Sequence, residues 1–193
     1  AIIDFHSSNM KSIFNFFKRN FKGNINIFDN PSINLESTDL IVIPGVGHFG
    51  HASNYIFSSG LNESINNFYL NNKPIIGICL GAQLLTRSSE EAPGSKGLGL
   101  LDADCKSLSN HPTYKENIPR IGWSGIKTNE KEAFYFVHSY YIHVNDNNLK
   151  TTLAVDNVTA MVESNNILAM QFHPEKSDKS GELITKSFID KYV

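Results

Sequence analysis

At 193 residues, 40% hydrophobic and 19% charged, with a net charge of −2, the chain has the profile of one globular domain over 1–193, long enough to bury a sizeable core. The near-neutral balance gives no electrostatic case for nucleic acid or an anionic membrane, and no apolar run approaches the roughly 20 residues of a membrane-spanning helix. Two cysteines make no disulfide framework, so a reducing compartment is expected. The opening Ala1-Ile2-Ile3-Asp4 reads as a strand rather than a signal peptide, which sets cytoplasmic as the expected location.

Ala1–Asp4 is a short apolar strand. Asn9–Asn20 carries Met10, Ile13, Phe14 and Phe17 at helical spacing, with Asn9 placed to cap the helix. Asn24–Phe28 alternates apolar and polar residues, and Leu40–Ile43 is a fully apolar strand that runs into Pro44-Gly45-Val46-Gly47. Leu61, Ile65, Phe68 and Tyr69 mark one face of a further helix. Ile75–Ile78 is a buried strand leading to Cys79, and a helix begins at Gly81. Strands alternating with helices predict a parallel sheet covered on both faces, with a site outside the carboxyl ends of its strands.

The second half reads as shorter strands: Ile121–Lys127, Ala133–His138, Thr151–Val155, Thr159–Glu163 and Ile167–Phe172, divided by turns such as Asn145-Asp146-Asn147-Asn148. They predict an antiparallel extension of the sheet. Ser180–Tyr192 closes the chain as a helix with Leu183, Ile184, Phe188 and Ile189 on one face.

Two blocks carry chemistry. In Gly77-Ile78-Cys79-Leu80-Gly81-Ala82-Gln83 the cysteine sits at a strand-to-helix turn with a glycine two residues to either side. Such a turn is tight and strained, and it lifts the sulfur above the sheet beside a helix N-terminus, where the thiolate is favoured. In Gln171-Phe172-His173-Pro174-Glu175 the histidine can take the thiol proton, and Glu175, two residues on, points to the same side and can orient the imidazole. Either block alone is the pattern of a core cysteine or a turn; together they give nucleophile, base and orienter as Cys79, His173 and Glu175. The Leu80 N–H, directly after the nucleophile, is an expected oxyanion donor. The other histidines (His6, His48, His51, His111, His138, His143) show no metal-ligand spacing, so no metal is expected, and His138 reads as a structural or site-wall residue.

With these motifs, and with Gly97-Leu98-Gly99, Pro119-Arg120-Ile121-Gly122-Trp123, Phe134-Tyr135-Phe136-Val137-His138-Ser139-Tyr140 and His173-Pro174-Glu175-Lys176-Ser177, the chain resembles the class I (triad) glutamine amidotransferases. Within them it is similar to the glutaminase subunit of imidazole glycerol phosphate synthase along essentially its whole length. The resemblance implies a three-layer α/β fold, its mainly parallel central sheet flanked by helices. It implies hydrolysis of glutamine to glutamate and ammonia through a γ-glutamyl thioester, with no cofactor. It assigns the second oxyanion donor to the Val46 N–H, the polar end of glutamine to Gln83 and Glu91, and backbone contacts to Gly47, Ser139 and Tyr140. It implies a heterodimer with a (β/α)₈-barrel synthase that receives the ammonia, docked on Trp123, Tyr135 and Lys176. Spacing alone reads Trp123 as a buried residue and Tyr135 as a strand residue just as readily, and it leaves open a solvated loop carboxylate at Glu91.

The chain departs from that family at two places. Where members carry a motif like Gly-x-Gly-Asn-Leu, it has His6-Ser7-Ser8-Asn9-Met10, and Arg120 and Ser124 flank Ile121-Gly122-Trp123 where His and Asn are usual. The triad is untouched, so the departures bear on partner and acceptor. The alternatives are a paralogous glutaminase feeding another acceptor, such as a surface sugar to be amidinated, and a free-standing triad hydrolase.

Overall fold

Three all-apolar segments, Ile41–Ile43 (β3), Ile75–Ile78 (β4) and Ile167–Met170 (β11), form the centre of the computed structural model, which describes residues 1–4, 9–28 and 35–193. They lie side by side and parallel, with Ile43 opposite Gly77 and Ile78 opposite Met170. Each is buried along its whole length because helices cover both faces, which is why its sequence is continuously apolar rather than alternating. Ile2–Ile3 (β1) and Ile27–Phe28 (β2) extend the parallel array on one side. Thr159–Ser164 (β10) and Lys150–Leu153 (β9) extend it antiparallel on the other, giving the order β2-β1-β3-β4-β11-β10-β9.

Alternate strand residues feed two cores. Ile41, Ile43, Ile75 and Ala169 pack with Phe49–Ser58 (α2), Leu61–Leu70 (α3) and the short Leu80–Leu84 (α4). Val42, Ile76, Leu168 and Met170 pack with Met10–Asn20 (α1) and Asp178–Tyr192 (α5). The result is the three-layer arrangement expected from the alternating pattern.

Four details differ from the sequence reading. The antiparallel extension is β10 and β9, whereas Arg120–Ile126 (β6) and Asn129–His138 (β7) pair with each other apart from the main sheet, as do Ala103–Ser107 (β5) and Tyr140–Val144 (β8). Helix α2 had no forecast, because its cap is a histidine, His48, whose Nδ1 accepts the Gly50 N–H at 3.0 Å. In α5 the inward face is Gly181, Thr185 and Phe188, so Leu183 lies on the far side and is 58% exposed. Asn9 occupies the cap position of α1, but its side chain makes no capping bond. The His6-Ser7-Ser8 departure lies outside the described residues.

Candidate active site

The three central strands all end at one edge, and each hands over to a functional segment there: β3 to Pro44–Gly47, β4 to Cys79, β11 to Gln171–Glu175. Cys79 sits at φ +52° and ψ −109°, a left-handed conformation that a side chain adopts only under strain of about 1–3 kcal/mol. Its N–H donates to the Met170 carbonyl at 2.7 Å and its carbonyl accepts the Gln83 N–H at 3.1 Å, so strand and helix fix the turn from both sides. The flanking glycines are steric requirements. A Cβ on Gly81 would stand 1.7 Å from the Ile43 carbonyl oxygen, and one on Gly77 would stand 2.7 Å from Ala82 Cα.

The thiol is less open than the elbow geometry suggested: Cys79 is 6% exposed. The end of β7 closes over it, and the thiol points to the Val137 carbonyl at 3.8 Å. Gln171, fully buried, directs its Nε2 at Cys79 Sγ over 3.9 Å while its Oε1 accepts from Gln83 Nε2 at 3.1 Å. Gln171 stood in the quoted motif with no role attached, because nothing in its spacing shows which way a side chain leaves the end of a strand.

His173 and Glu175 lie behind Cys79, with side chains 1% and 0% exposed. Glu175 is carried on the 3₁₀ turn Pro174–Lys176 rather than on the extended segment that the two-residue spacing assumed, and the turn brings its Oε1 to His173 Nδ1 at 2.9 Å. Burial works to lower the His173 pKa, but the Cys79 sulfur and the Glu175 carboxylate overcome it and raise it to about 10. The proton therefore rests on the imidazole at neutral pH.

A cleft of about 270 Å³ opens in front of the sulfur. Val46, Gly47, Leu80, Gln83, Glu91, Ser139 and Tyr140, each predicted from sequence, all line it, together with Pro119, Val137 and His138. Gln83 donates to the Tyr140 carbonyl at 2.9 Å, and Glu91 Oε2 accepts the Phe49 N–H at 2.7 Å at the start of α2, a favourable place for a carboxylate. Glu91 is thus an anchored wall residue rather than a solvated loop carboxylate. His138 Nδ1 faces the Tyr140 carbonyl at 2.9 Å; burial, and then the charge of Arg120, push its pKa down to about 3, so it is neutral. The Leu80 N–H is already taken, donating to the Gly45 carbonyl at 3.3 Å. In this conformation the Leu80 N–H is therefore directed at the loop after β3 rather than free toward the cleft.

Beside the cleft, Trp123 of β6 and Tyr135 of β7 are register partners with ring centroids 5.9 Å apart, and Lys176 Nζ lies 5.4 Å from the Tyr135 ring. Trp123 is 53% exposed and Ile121 63%, so with the half-buried Tyr135 they form an outward apolar patch beside the Lys176 ammonium rather than a buried strand face. The main chain of Tyr135 reaches the other way: its carbonyl accepts the His173 N–H at 2.9 Å, and its N–H donates to Ser177 Oγ, which in turn donates to the His173 carbonyl. Arg120, one of the departures, is buried against Asp156 at 2.7 Å and over the Phe136 ring at 3.8 Å. Among the described residues no three His, Cys, Asp or Glu side chains stand together as a metal site, and no helix is long and apolar enough to cross a membrane.

Comparison with known proteins gives the same direction. Residues 1–191 match the family glutamine amidotransferase class-I. The imidazole glycerol phosphate synthase subunit HisH of Methanothermobacter thermautotrophicus is 38% identical over 201 residues, covering 98% of this chain and 97% of that protein. HisH of Prochlorococcus marinus is 35% identical over 202 residues, covering 98% and 92%. Among solved structures, a glutamine amidotransferase superposes with a TM-score of 0.76 at 15% identity over 98% of this chain and 97% of that one, a likeness of fold.

Proposed function

Because the chain belongs to the class-I glutamine amidotransferases, among the HisH glutaminase subunits of imidazole glycerol phosphate synthase, we propose that Cys79, His173 and Glu175 are its triad and that it supplies ammonia to a barrel-shaped synthase in histidine biosynthesis. The observation that carries this reading is the placement of a proton-bearing His173 between Cys79 and Glu175 at the ends of adjacent strands.

In this mechanism the Cys79 thiolate attacks the side-chain amide carbon of glutamine. The negative charge that develops on the amide oxygen is held by the Leu80 N–H and the Val46 N–H once the Gly45 carbonyl has moved aside; one such donor is worth about 3 kcal/mol in other enzymes. The His173 imidazolium gives its proton to the amide nitrogen, the C–N bond breaks, and ammonia leaves a γ-glutamyl thioester. Neutral His173 then takes a proton from water, the hydroxide attacks the thioester carbon, and the C–S bond breaks to give glutamate and the restored thiolate. Glu91 and Gln83, with the backbone of Gly47, Ser139 and Tyr140, surround the space for the amino-acid end.

The patch of Trp123, Tyr135 and Lys176 supports docking of a (β/α)₈ barrel, with the product pair imidazole glycerol phosphate and an aminoimidazole carboxamide ribotide. The free thiols of Cys79 and Cys105 support a reducing, cytoplasmic setting. The test is glutamate release from glutamine by this chain alone and then with a histidine-pathway barrel synthase carrying its ribonucleotide ligand. Strong stimulation in the loaded complex is the expected result. Turnover equal with and without the partner would point instead to a free-standing hydrolase, and reactivity of Cys79 without any stimulation would point to a paralogue with another acceptor.

A further inference from the structure

Asn9 stands where a short polar residue ordinarily turns its side chain back onto the free N–H groups of the helix it opens. It does not do so here. Instead its Nδ2 reaches a residue 166 positions away in sequence and donates to Glu175 Oε1 at 2.5 Å. The same oxygen accepts His173 Nδ1 at 2.9 Å, so two N–H donors converge on one oxygen of a carboxylate with no solvent contact. The other oxygen, Oε2, has no hydrogen-bond partner among the described residues, which leaves the Asn9 amide as the group, besides His173, that fixes how the carboxylate is turned.

An amide suits this position. It donates without carrying charge, and it does not compete for the His173 proton as a second carboxylate would. The first turn of α1 holds no acidic side chain, so the positive end of that 11-residue helix is left for Glu175.

We infer that Asn9 is a positioning residue of the glutaminase site: it holds the Glu175 carboxylate in the orientation that His173 Nδ1 requires, and through it aims the imidazole at Cys79. This rests on the reading of Cys79, His173 and Glu175 as the triad.

Two variants separate positioning from a role confined to the start of α1, where the Asn9 side chain makes no capping bond to lose. Asn9→Ala removes the donor to Glu175. Asn9→Asp keeps a side chain that caps helices as well as asparagine does, but replaces the donor with an oxygen beside Glu175. Steady-state glutamate release would be measured in the complex with the ligand-loaded barrel synthase, alongside circular dichroism of each variant. Positioning predicts a fall in kcat of about 10- to 100-fold for Asn9→Ala with KM nearly unchanged, as is usual when a partner that orients a catalytic ligand is lost, and a larger fall for Asn9→Asp. In a Glu175→Ala background, Asn9→Ala should add no further loss. Wild-type kcat in Asn9→Asp, or full additivity with Glu175→Ala, overturns the inference. Glu175→Gln distinguishes the two levels: if it too leaves glutamate release intact, the triad reading has failed; if it abolishes release while Asn9→Asp does not, only the role of Asn9 has failed.

Discussion

Cys79 and Cys105 are both nearly buried, yet their surroundings differ in kind. Cys105 is 1% exposed, and burial pushes its thiol up to about 12, against a weak pull from the Thr86 hydroxyl. Cys79 lies against a cleft with a protonated imidazole behind it. Iodoacetamide at neutral pH should therefore label one thiol per chain, and peptide mass spectrometry should place the label on Cys79. The elbow that presents this thiol depends on the absence of a Cβ at Gly81. Gly81→Ala, with its methyl 1.7 Å from the Ile43 carbonyl oxygen, should lose about 3 kcal/mol or more of stability by urea denaturation. The glycine bracket was legible in the sequence because steric need maps onto one residue type. The Asn9 contact was not: an asparagine at a helix start has a local use, and nothing along the chain shows that Glu175 is within reach.

Elements were legible where burial imposes a period. Strands β3 and β4, helix α3 and most of α1 follow from their apolar spacing. Where the controlling contact is tertiary, the pattern weakens. β5 and β8 are held by each other across more than thirty positions, with Ala103 opposite Val144, and α2 starts on a histidine cap. The loop after β3 is an element of this second kind. Its Pro44-Gly45-Val46-Gly47 sequence was readable as a glycine-rich turn, but not that its Gly45 carbonyl would occupy the Leu80 N–H. Gly47 sits at φ +119°, outside the range open to alanine, and its Cβ would meet no neighbour. Gly47→Ala thus perturbs the loop's conformational choice and, with it, the cleft wall that Gly47 forms. The kcat/KM for glutamate release in the complex should fall by about 100-fold, the scale of a lost oxyanion donor, with a fold intact by circular dichroism.

At the scale of the molecule, two buried histidines set opposite slopes on stability against pH. His138 is held neutral with a pKa near 3, whereas the unfolded chain takes up a proton at about 6.5. Its contribution is present above pH 6.5 and is lost as pH falls from there towards 3. His173 is raised to about 10, so its contribution is complete below 6.5 and is lost as pH rises towards 10. Urea denaturation across pH should show a maximum between these limbs, with His138→Gln flattening the acid side by up to about 1.4 kcal/mol per pH unit. The proposed docking patch is separable from this balance. Trp123→Ala should weaken a complex with the barrel synthase by about 30-fold or more by titration calorimetry, with little change in the melting temperature of the isolated chain, since the indole is half in solvent.

Residue 135 faces outward with its ring and inward with its peptide, and that division limits how the protein can change allegiance. Side chains at 123, 135 and 176 can be exchanged freely to suit a new recipient, because none of them holds the histidine. The strand that bears residue 135 has no such liberty. An insertion in the turn at 127–128 would be absorbed at the far tip of the hairpin. A single residue added or removed within 133–138 would invert every later side chain, turning the Phe136 side of the ribbon to solvent and unhooking the carbonyl that steadies His173. Drift in this lineage should therefore appear as recoloured surface on a strand of constant length, and a length change there should mark a chain that no longer cleaves glutamine.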